Sequence, residues 1–116
     1  MTLSAETQTR LLEIKGEMLR ELRENVMPFW ADNAHDKLYG GFLTRLDRRG
    51  RLLEEKEKFL MMQARMIASL SWAHEAGLRE RNYLLMADAA FEFLITHMWD
   101  RDEGGFFFSV HRDGTP

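Results

Sequence analysis

Four histidines are the side chains in this sequence best suited to proton transfer near neutral pH: His35, His74, His97 and His111. No two of them form the H-x-x-x-H pattern through which a helix presents two imidazoles to one zinc ion. The sequence therefore predicts no metal site. His35 and His111 lie in glycine-containing loops, where they could face a binding cleft, although solvent exposure is the commoner position for a loop histidine.

Arg65 is a fifth residue whose side chain could have a chemical role, because it interrupts a long apolar stretch. A guanidinium in such surroundings can pair with a carboxylate or cap neighbouring carbonyl groups, and its surroundings alone favour this interpretation. The alternative is a functional role. The planar guanidinium carries five donors and a permanent charge, so it can hold the oxygen atoms of a ligand and stabilise negative charge on them.

Three helices are predicted to position these residues. Residues 6–27 form an amphipathic helix with one solvated side, with Ser4 as N-cap and Pro28 near its end. Residues 57–76 are apolar on nearly every side, which predicts a buried helix that stops at Gly77. A third helix begins after the N-cap Asn82 and continues to about residue 98. The apolar positions of the first helix are Leu11, Ile14, Met18, Leu22 and Val26.

A repeat with a period of 64 residues connects these helices. The motif D-x-x-x-G-G-F spans residues 36–42 and returns at residues 100–106, and Gly50 in the following turn corresponds to Gly114. Each motif predicts a glycine turn followed by a short strand, over residues 42–46 and 106–110, in a small β-hairpin. Helical sequence between loops that recur at one period is typical of stacked helical hairpins. The predicted fold is therefore all-α, either an open solenoid or a closed toroid of α-hairpins.

Composition excludes several functional classes. The 116 residues carry a net charge of -3, so no basic surface for nucleic acid is predicted. Cysteine is absent, which favours a reducing compartment, and no apolar run approaches the roughly 20 residues of a membrane span. The N-terminus lacks the features of a signal peptide. The glycine loops lack G-x-G-x-x-G spacing, so no phosphate-binding loop is predicted. We expect a cytoplasmic protein without membrane or nucleic-acid partners and without a cofactor.

Seven short motifs follow one another along the chain. They are Phe29-Trp30, His35-Asp36, Gly40-Gly41-Phe42, Asp47-x-x-Gly50, Gln63-Ala64-Arg65, Asp100-x-x-x-Gly104-Gly105-Phe106 and Asp113-Gly114. In this order and spacing they resemble the N-acylglucosamine 2-epimerase and cellobiose 2-epimerase family. Members of that family are α/α barrels of six helical hairpins with the substrate at the centre. The resemblance implies that residues 1–116 are a single partial domain, the N-terminal segment of such a barrel.

The resemblance also implies an activity: epimerisation of a small-molecule sugar at C2, or isomerisation between aldose and ketose. It implies that Arg65 is the catalytic residue of this chain, polarising the sugar oxygens, and that the two histidines that move protons lie beyond this stretch. The isolated chain is then expected to be inactive. The alternative is a non-catalytic helical module stabilised by self-association or by a partner. Because the predicted apolar surface exceeds what these helices can cover, we expect a homo-oligomer in either case.

Overall fold

The computed structural model describes residues 2–116 and is mainly helical. The strands Glu57–Phe59 and Ser109–His111 form a two-stranded antiparallel sheet in which Lys58 lies opposite Val110. The predicted all-α fold with little strand is confirmed. In chain order the elements are α1 (Ala5–Glu21), a π-helical turn (Leu22–Val26), α2 (Met27–Asn33), β1 (Glu57–Phe59), α3 (Leu60–Glu75), α4 (Tyr83–Phe93), a second π-helical turn (Leu94–Met98) and β2 (Ser109–His111).

The first helical segment begins where the sequence predicts but extends further. The Ser4 hydroxyl accepts a hydrogen bond from the Thr7 N–H at 3.2 Å, as an N-cap should. The predicted end near residue 27 is wrong, because the backbone widens into a π-helical turn and continues as α2 to Asn33. Pro28 stands in the first turn of α2. A π-type turn is one of the ways in which a helix accommodates an irregularity in its hydrogen bonding, such as the N–H that proline lacks.

The core lies between the helical hairpin α3–α4, α2 and the first glycine loop. Asn82 caps α4 as predicted, accepting a hydrogen bond from the Leu85 N–H at 3.1 Å. Gly77 ends α3 as predicted, with a φ of 86° that favours glycine. Buried members of the core are Ala31, Ala34, Phe42, Leu70, Ala73, Leu78, Tyr83, Ala87 and Ala90.

α3 differs from its prediction in both start and burial. It begins at Leu60, because Glu57–Phe59 pair with β2 instead of joining the helix. Its predicted burial on all sides is wrong: Met61 is 54% exposed and Trp72 is 71% exposed. Within residues 2–116, α4 is the main helical neighbour of α3, and the face that carries Met61 and Trp72 meets solvent despite its apolar composition.

The two glycine loops repeat in three dimensions. The Asp36 N–H donates to the Gly41 carbonyl at 3.0 Å, and the Asp100 N–H donates to the Gly105 carbonyl at 2.8 Å. The predicted strands are shorter than expected, since residues 42–46 contribute only single bridges and the second loop forms β2 at its end. β2 pairs with β1, not within its own loop, so the sheet joins the two periods of the repeat.

Gly50 supplies a test of this loop geometry. Its φ is 82°, and a Cβ there would lie 2.7 Å from the side chain of Asn33. Gly104 has a similar φ of 81° but open space around a Cβ. We expect Gly104→Ala to reduce the free energy of unfolding by about 1–2 kcal/mol through backbone strain alone. Gly50→Ala should cost about 1–3 kcal/mol more through overpacking.

Urea unfolding followed by circular dichroism measures both variants of this pair. Equal losses in the two variants would contradict the close packing of Gly50 on Asn33.

Candidate functional site

A buried ion pair connects the first glycine loop to β1. The Lys58 ammonium lies 2.7 Å from the Asp36 carboxylate, and both side chains are fully or almost fully buried. Lys58 Nζ also donates to the carbonyls of Gly40 at 2.6 Å and Arg112 at 2.9 Å. All three ammonium hydrogens thus have an acceptor, which is the requirement for burying this charge.

Asp36 collects hydrogen bonds from both periods of the repeat. Its carboxylate accepts from the backbone N–H groups of Leu38 and Tyr39 at 3.1 and 3.3 Å. Arg112 donates to both carboxylate oxygens, at 3.1 and 3.3 Å. Burial opposes ionisation of Asp36, but the hydrogen bonds from Arg112 and Lys58 outweigh it and hold its pKa well below the ordinary value of 3.8. Burial lowers the pKa of Lys58, and the Asp36 carboxylate opposes that shift.

Gln63 orients α3 against the same loop. Its side-chain oxygen accepts from the Phe42 N–H at 2.9 Å, and its amide nitrogen donates to the Phe42 carbonyl at 2.8 Å. Gln63 is fully buried. Residues two apart on an α-helix project about 200° apart, so seating Gln63 inward turns Arg65 outward. Gln63 therefore binds the first glycine loop, whereas Arg65 faces solvent.

Arg65 lies on an exposed face of α3, which we call the arginine face and define by Met61, Arg65 and Trp72. Within residues 2–116, its guanidinium has no hydrogen bond and no carboxylate within ion-pair distance. The local pairing favoured by its sequence surroundings is therefore wrong. Beside the start of α3, the rings of Phe59 and Phe108 meet edge to face, with 5.6 Å between their centroids.

A cavity of about 660 Å³ adjoins Phe59. Its walls carry both signs of charge and the imidazole of His111, so it is suited to a polar ligand more than to an apolar one. The lining residues are Arg45, Glu54, Glu55, Lys56, Glu57, Phe59 and His111.

The histidines are dispersed through the fold. The His35 ring packs on Phe42 with 5.4 Å between centroids, and burial lowers the pKa of His35, which favours the neutral imidazole. The His97 ring packs on Phe93 at 4.8 Å. Among residues 2–116, no three His, Asp or Glu side chains lie close enough together to hold a metal ion. None of the helices described is long and apolar enough to cross a membrane.

Comparison with known proteins identifies the family. A family model described as N-acylglucosamine 2-epimerase (GlcNAc 2-epimerase) matches residues 40–116, well over half of the chain. The chain belongs to the N-acylglucosamine 2-epimerase family. It is 32% identical over 103 residues to cellobiose 2-epimerase of Bacteroides fragilis, covering 89% of this chain and 26% of that protein. It is 29% identical over 114 residues to N-acylglucosamine 2-epimerase of Homo sapiens, covering 96% of this chain and 26% of the human protein.

A solved structure agrees with this assignment to the epimerase family. Cellobiose 2-epimerase from Spirochaeta thermophila superimposes with a TM-score of 0.85 at 31% identity, over 97% of this chain and 27% of that one. The all-α fold of helical hairpins is thus confirmed as part of the α/α-barrel architecture. The chain spans about a quarter of the length of the curated relatives it matches.

Sequence analysis of this family member missed the role of Lys58. Lys58 lies in the charged run from Glu54 to Lys58, and such a run ordinarily indicates a solvated surface. Asp36 carried a usable signal, because it opens the repeated D-x-x-x-G-G-F motif. Nothing in that motif indicates which cation it binds, since its partners Lys58 and Arg112 are distant in sequence.

Removing the charge of Asp36 should destabilise the fold strongly. Asp36→Asn leaves the Lys58 ammonium buried without a counter-ion, so we expect a loss of about 3–5 kcal/mol in the free energy of unfolding. Asp100→Asn makes the same substitution at the partly exposed, repeat-related position and should change the free energy of unfolding by less than about 1 kcal/mol. Urea titration of the two variants gives the comparison, and similar losses would contradict the buried ion pair.

The pH dependence of stability in acid provides a second test of the ion pair, made by comparing the wild type with Asp36→Asn. Because the pKa of Asp36 is lower in the folded chain than the ordinary 3.8, the unfolded chain binds a proton first as the pH falls. The stabilisation is fully present above about pH 5 and is lost as the pH falls below 4 towards the folded pKa. Between pH 5 and pH 2 the wild type should therefore lose more stability than Asp36→Asn does.

Proposed function

We propose that residues 1–116 are one partial domain, the N-terminal segment of an α/α-barrel enzyme that epimerises a sugar at C2 or interconverts aldose and ketose. The observation that carries the proposal is the exposed guanidinium of Arg65, which has no partner among residues 2–116, in a chain of the N-acylglucosamine 2-epimerase family. Its matched relatives are named for the epimerisation of cellobiose or N-acylglucosamine. The substrate class we infer is accordingly a small sugar with a free carbonyl form.

Epimerisation at C2 defines what the protein must supply. A base removes the proton from the carbon beside the carbonyl, negative charge develops on the carbonyl oxygen, and an acid returns a proton to the opposite face. Arg65 is suited to stabilising the negative charge on the carbonyl oxygen. Its guanidinium can donate to the developing oxyanion from a fixed helix, and such preorganised donors are among the largest contributions to catalysis.

The start of α3 offers groups that suit a ligand larger than an ion. Phe59 and Phe108 offer ring faces and edges against which the apolar side of a sugar can pack. The 660 Å³ cavity that adjoins Phe59 is lined by charged side chains, which offer hydrogen-bonding groups for hydroxyls, and Arg65 is not among its lining residues. An arginine without a carboxylate partner keeps its N–H donors available for the substrate, because they form no hydrogen bonds within residues 2–116.

Proton transfer is the part of the reaction that this chain does not supply in our proposal. The resemblance assigns both transfers to histidines outside these residues, and without them acid–base catalysis worth about 10²–10⁴-fold per group is missing. We therefore expect the 116-residue chain to catalyse no exchange of the C2 proton.

The test is deuterium incorporation at C2 of cellobiose, mannose or N-acetylmannosamine in deuterated water, followed by NMR. In a longer enzyme that contains this chain, Arg65→Ala should lower kcat by about 10²–10³-fold, the loss typical of one oxyanion donor. Arg101→Ala removes an exposed guanidinium of the second glycine loop and serves as the matched control, with turnover retained. Full turnover by Arg65→Ala, with the fold intact, would rule out the assigned role.

A second candidate, a self-associating helical module, rests on a separate observation. α1 buries none of its residues, and its apolar positions remain open to solvent. Leu11 is 50% exposed and Met18 is 61% exposed, and Phe91 on α4 is 50% exposed. Apolar surface of this extent ordinarily marks a contact with another protein surface.

Light scattering on the purified chain tests this second candidate. We expect a mass above the 13.7 kDa of one chain at micromolar concentration. The double substitution Leu11→Glu and Met18→Glu should shift the population towards monomer, whereas Arg10→Glu and Glu17→Arg, which exchange charges on α1, should not. A stable wild-type monomer would contradict self-association without affecting the epimerase proposal.

A further inference from the structure

The second glycine loop contains the same binding groups as the first, but in the described residues only the first loop is occupied. We propose that the second loop binds a polypeptide segment in which a lysine on a strand is followed, five residues later, by a glutamine on a helix. The inference concerns residues 100–106 and is independent of the proposed enzymatic function.

The first loop shows how such a segment binds. Lys58 on β1 places its ammonium on the Asp36 carboxylate and the Gly40 carbonyl, at 2.7 and 2.6 Å. Five residues later, Gln63 on α3 pairs its side-chain amide with both the N–H and the carbonyl of Phe42. The strand–helix segment is therefore held by one charged contact and one double hydrogen bond.

The second loop reproduces every one of these receptor groups 64 residues later. Asp100, the Gly104 carbonyl and the backbone of Phe106 correspond to Asp36, the Gly40 carbonyl and the backbone of Phe42. The internal bonding is also the same: Gly104 N–H donates to the Asp100 carbonyl at 2.9 Å. One oxygen of the Asp100 carboxylate accepts two backbone N–H groups, from Asp102 and Glu103.

The receptor groups of the second loop are unoccupied within residues 2–116. No side chain donates to the Asp100 carboxylate or the Gly104 carbonyl, and no group pairs with the N–H or carbonyl of Phe106. Phe42 in the occupied loop is 1% exposed, whereas Phe106 is 43% exposed. That difference is the effect we expect from a segment lying across the loop.

Charge and geometry favour a lysine-bearing polypeptide over a free cation. The carboxylate and the carbonyl provide two acceptors for one ammonium. The N–H and carbonyl of Phe106 fit a donor and an acceptor in one planar group, which a side-chain amide supplies. A lone ion would bind the carboxylate and the carbonyl but would not cover the backbone or the exposed ring of Phe106.

A synthetic peptide with the sequence of residues 53–68 is the probe, because it carries Lys58 and Gln63 at the required spacing. Added to the full 116-residue chain, it should bind saturably, change the fluorescence of Trp99 and shift the amide NMR signals of Asp100 and Phe106. The Trp99 ring reports on the loop because it packs 5.0 Å from that of Phe106.

Two protein variants that each lose one negative charge distinguish specific binding of the peptide from general electrostatic attraction. Asp100→Asn should weaken binding about tenfold or more, the effect of losing a hydrogen bond to a charged partner. Asp102→Asn removes a carboxylate from the same loop at the position that corresponds to Leu38, and should leave affinity within about twofold. The peptides with Lys58→Met or Gln63→Leu should each bind about tenfold more weakly.

Several results would overturn the proposal. The first is the absence of saturable binding up to about 1 mM peptide. The second is an equal loss of peptide affinity in Asp100→Asn and Asp102→Asn. The third is binding of free lysine to the second glycine loop as strongly as the peptide, which would mean a cation site only. Shifts confined to Phe42 and Asp36 would mean that the peptide displaces β1 instead. A peptide-free dimer that Asp100→Asn dissociates would make the occupant a second copy of this chain.

Discussion

The buried contact between Lys58 and Asp36 is the constraint on which the rest of the arrangement depends. Removing both charges from water is costly, and the structure offsets that cost by giving the ammonium three acceptors and the carboxylate five donor groups from four residues. Those partners come from the first glycine loop, β1 and the turn after β2. One ion pair therefore holds together three segments that are far apart in sequence.

The same ion pair also determines the position of the candidate site on α3. β1 leads directly into α3, so the position of Lys58 determines where that helix begins. Gln63 then sets how the helix is rotated, by pairing with the backbone of Phe42. Arg65 is consequently directed away from the core on a helix fixed at its start, and the role we propose for Arg65 requires rigid support of this kind.

The repeat explains both the stability of this part of the chain and its open surfaces. The first glycine loop is completed by groups from later segments, since Asp36 forms ion pairs with Lys58 and Arg112. In stacked repeats every unit relies on its neighbours in this way. The exposed Asp100 loop, the arginine face and the apolar side of α1 are the surfaces that remain without such neighbours in the described residues.

Local chemistry in the sequence determined much of the fold. Apolar spacing predicted the helices, the side chains of Ser4 and Asn82 predicted helix starts, and the D-x-x-x-G-G-F repeat predicted two loops of the same geometry, because each of these depends on residues close in sequence. Family motifs further indicated the α/α fold. Only the tertiary structure decided that Lys58 is buried, that Glu57–Phe59 form a strand and that one face of α3 is exposed. Those outcomes depend on segments brought together by folding, and a charged run or an apolar helix carries no local mark of its distant partners.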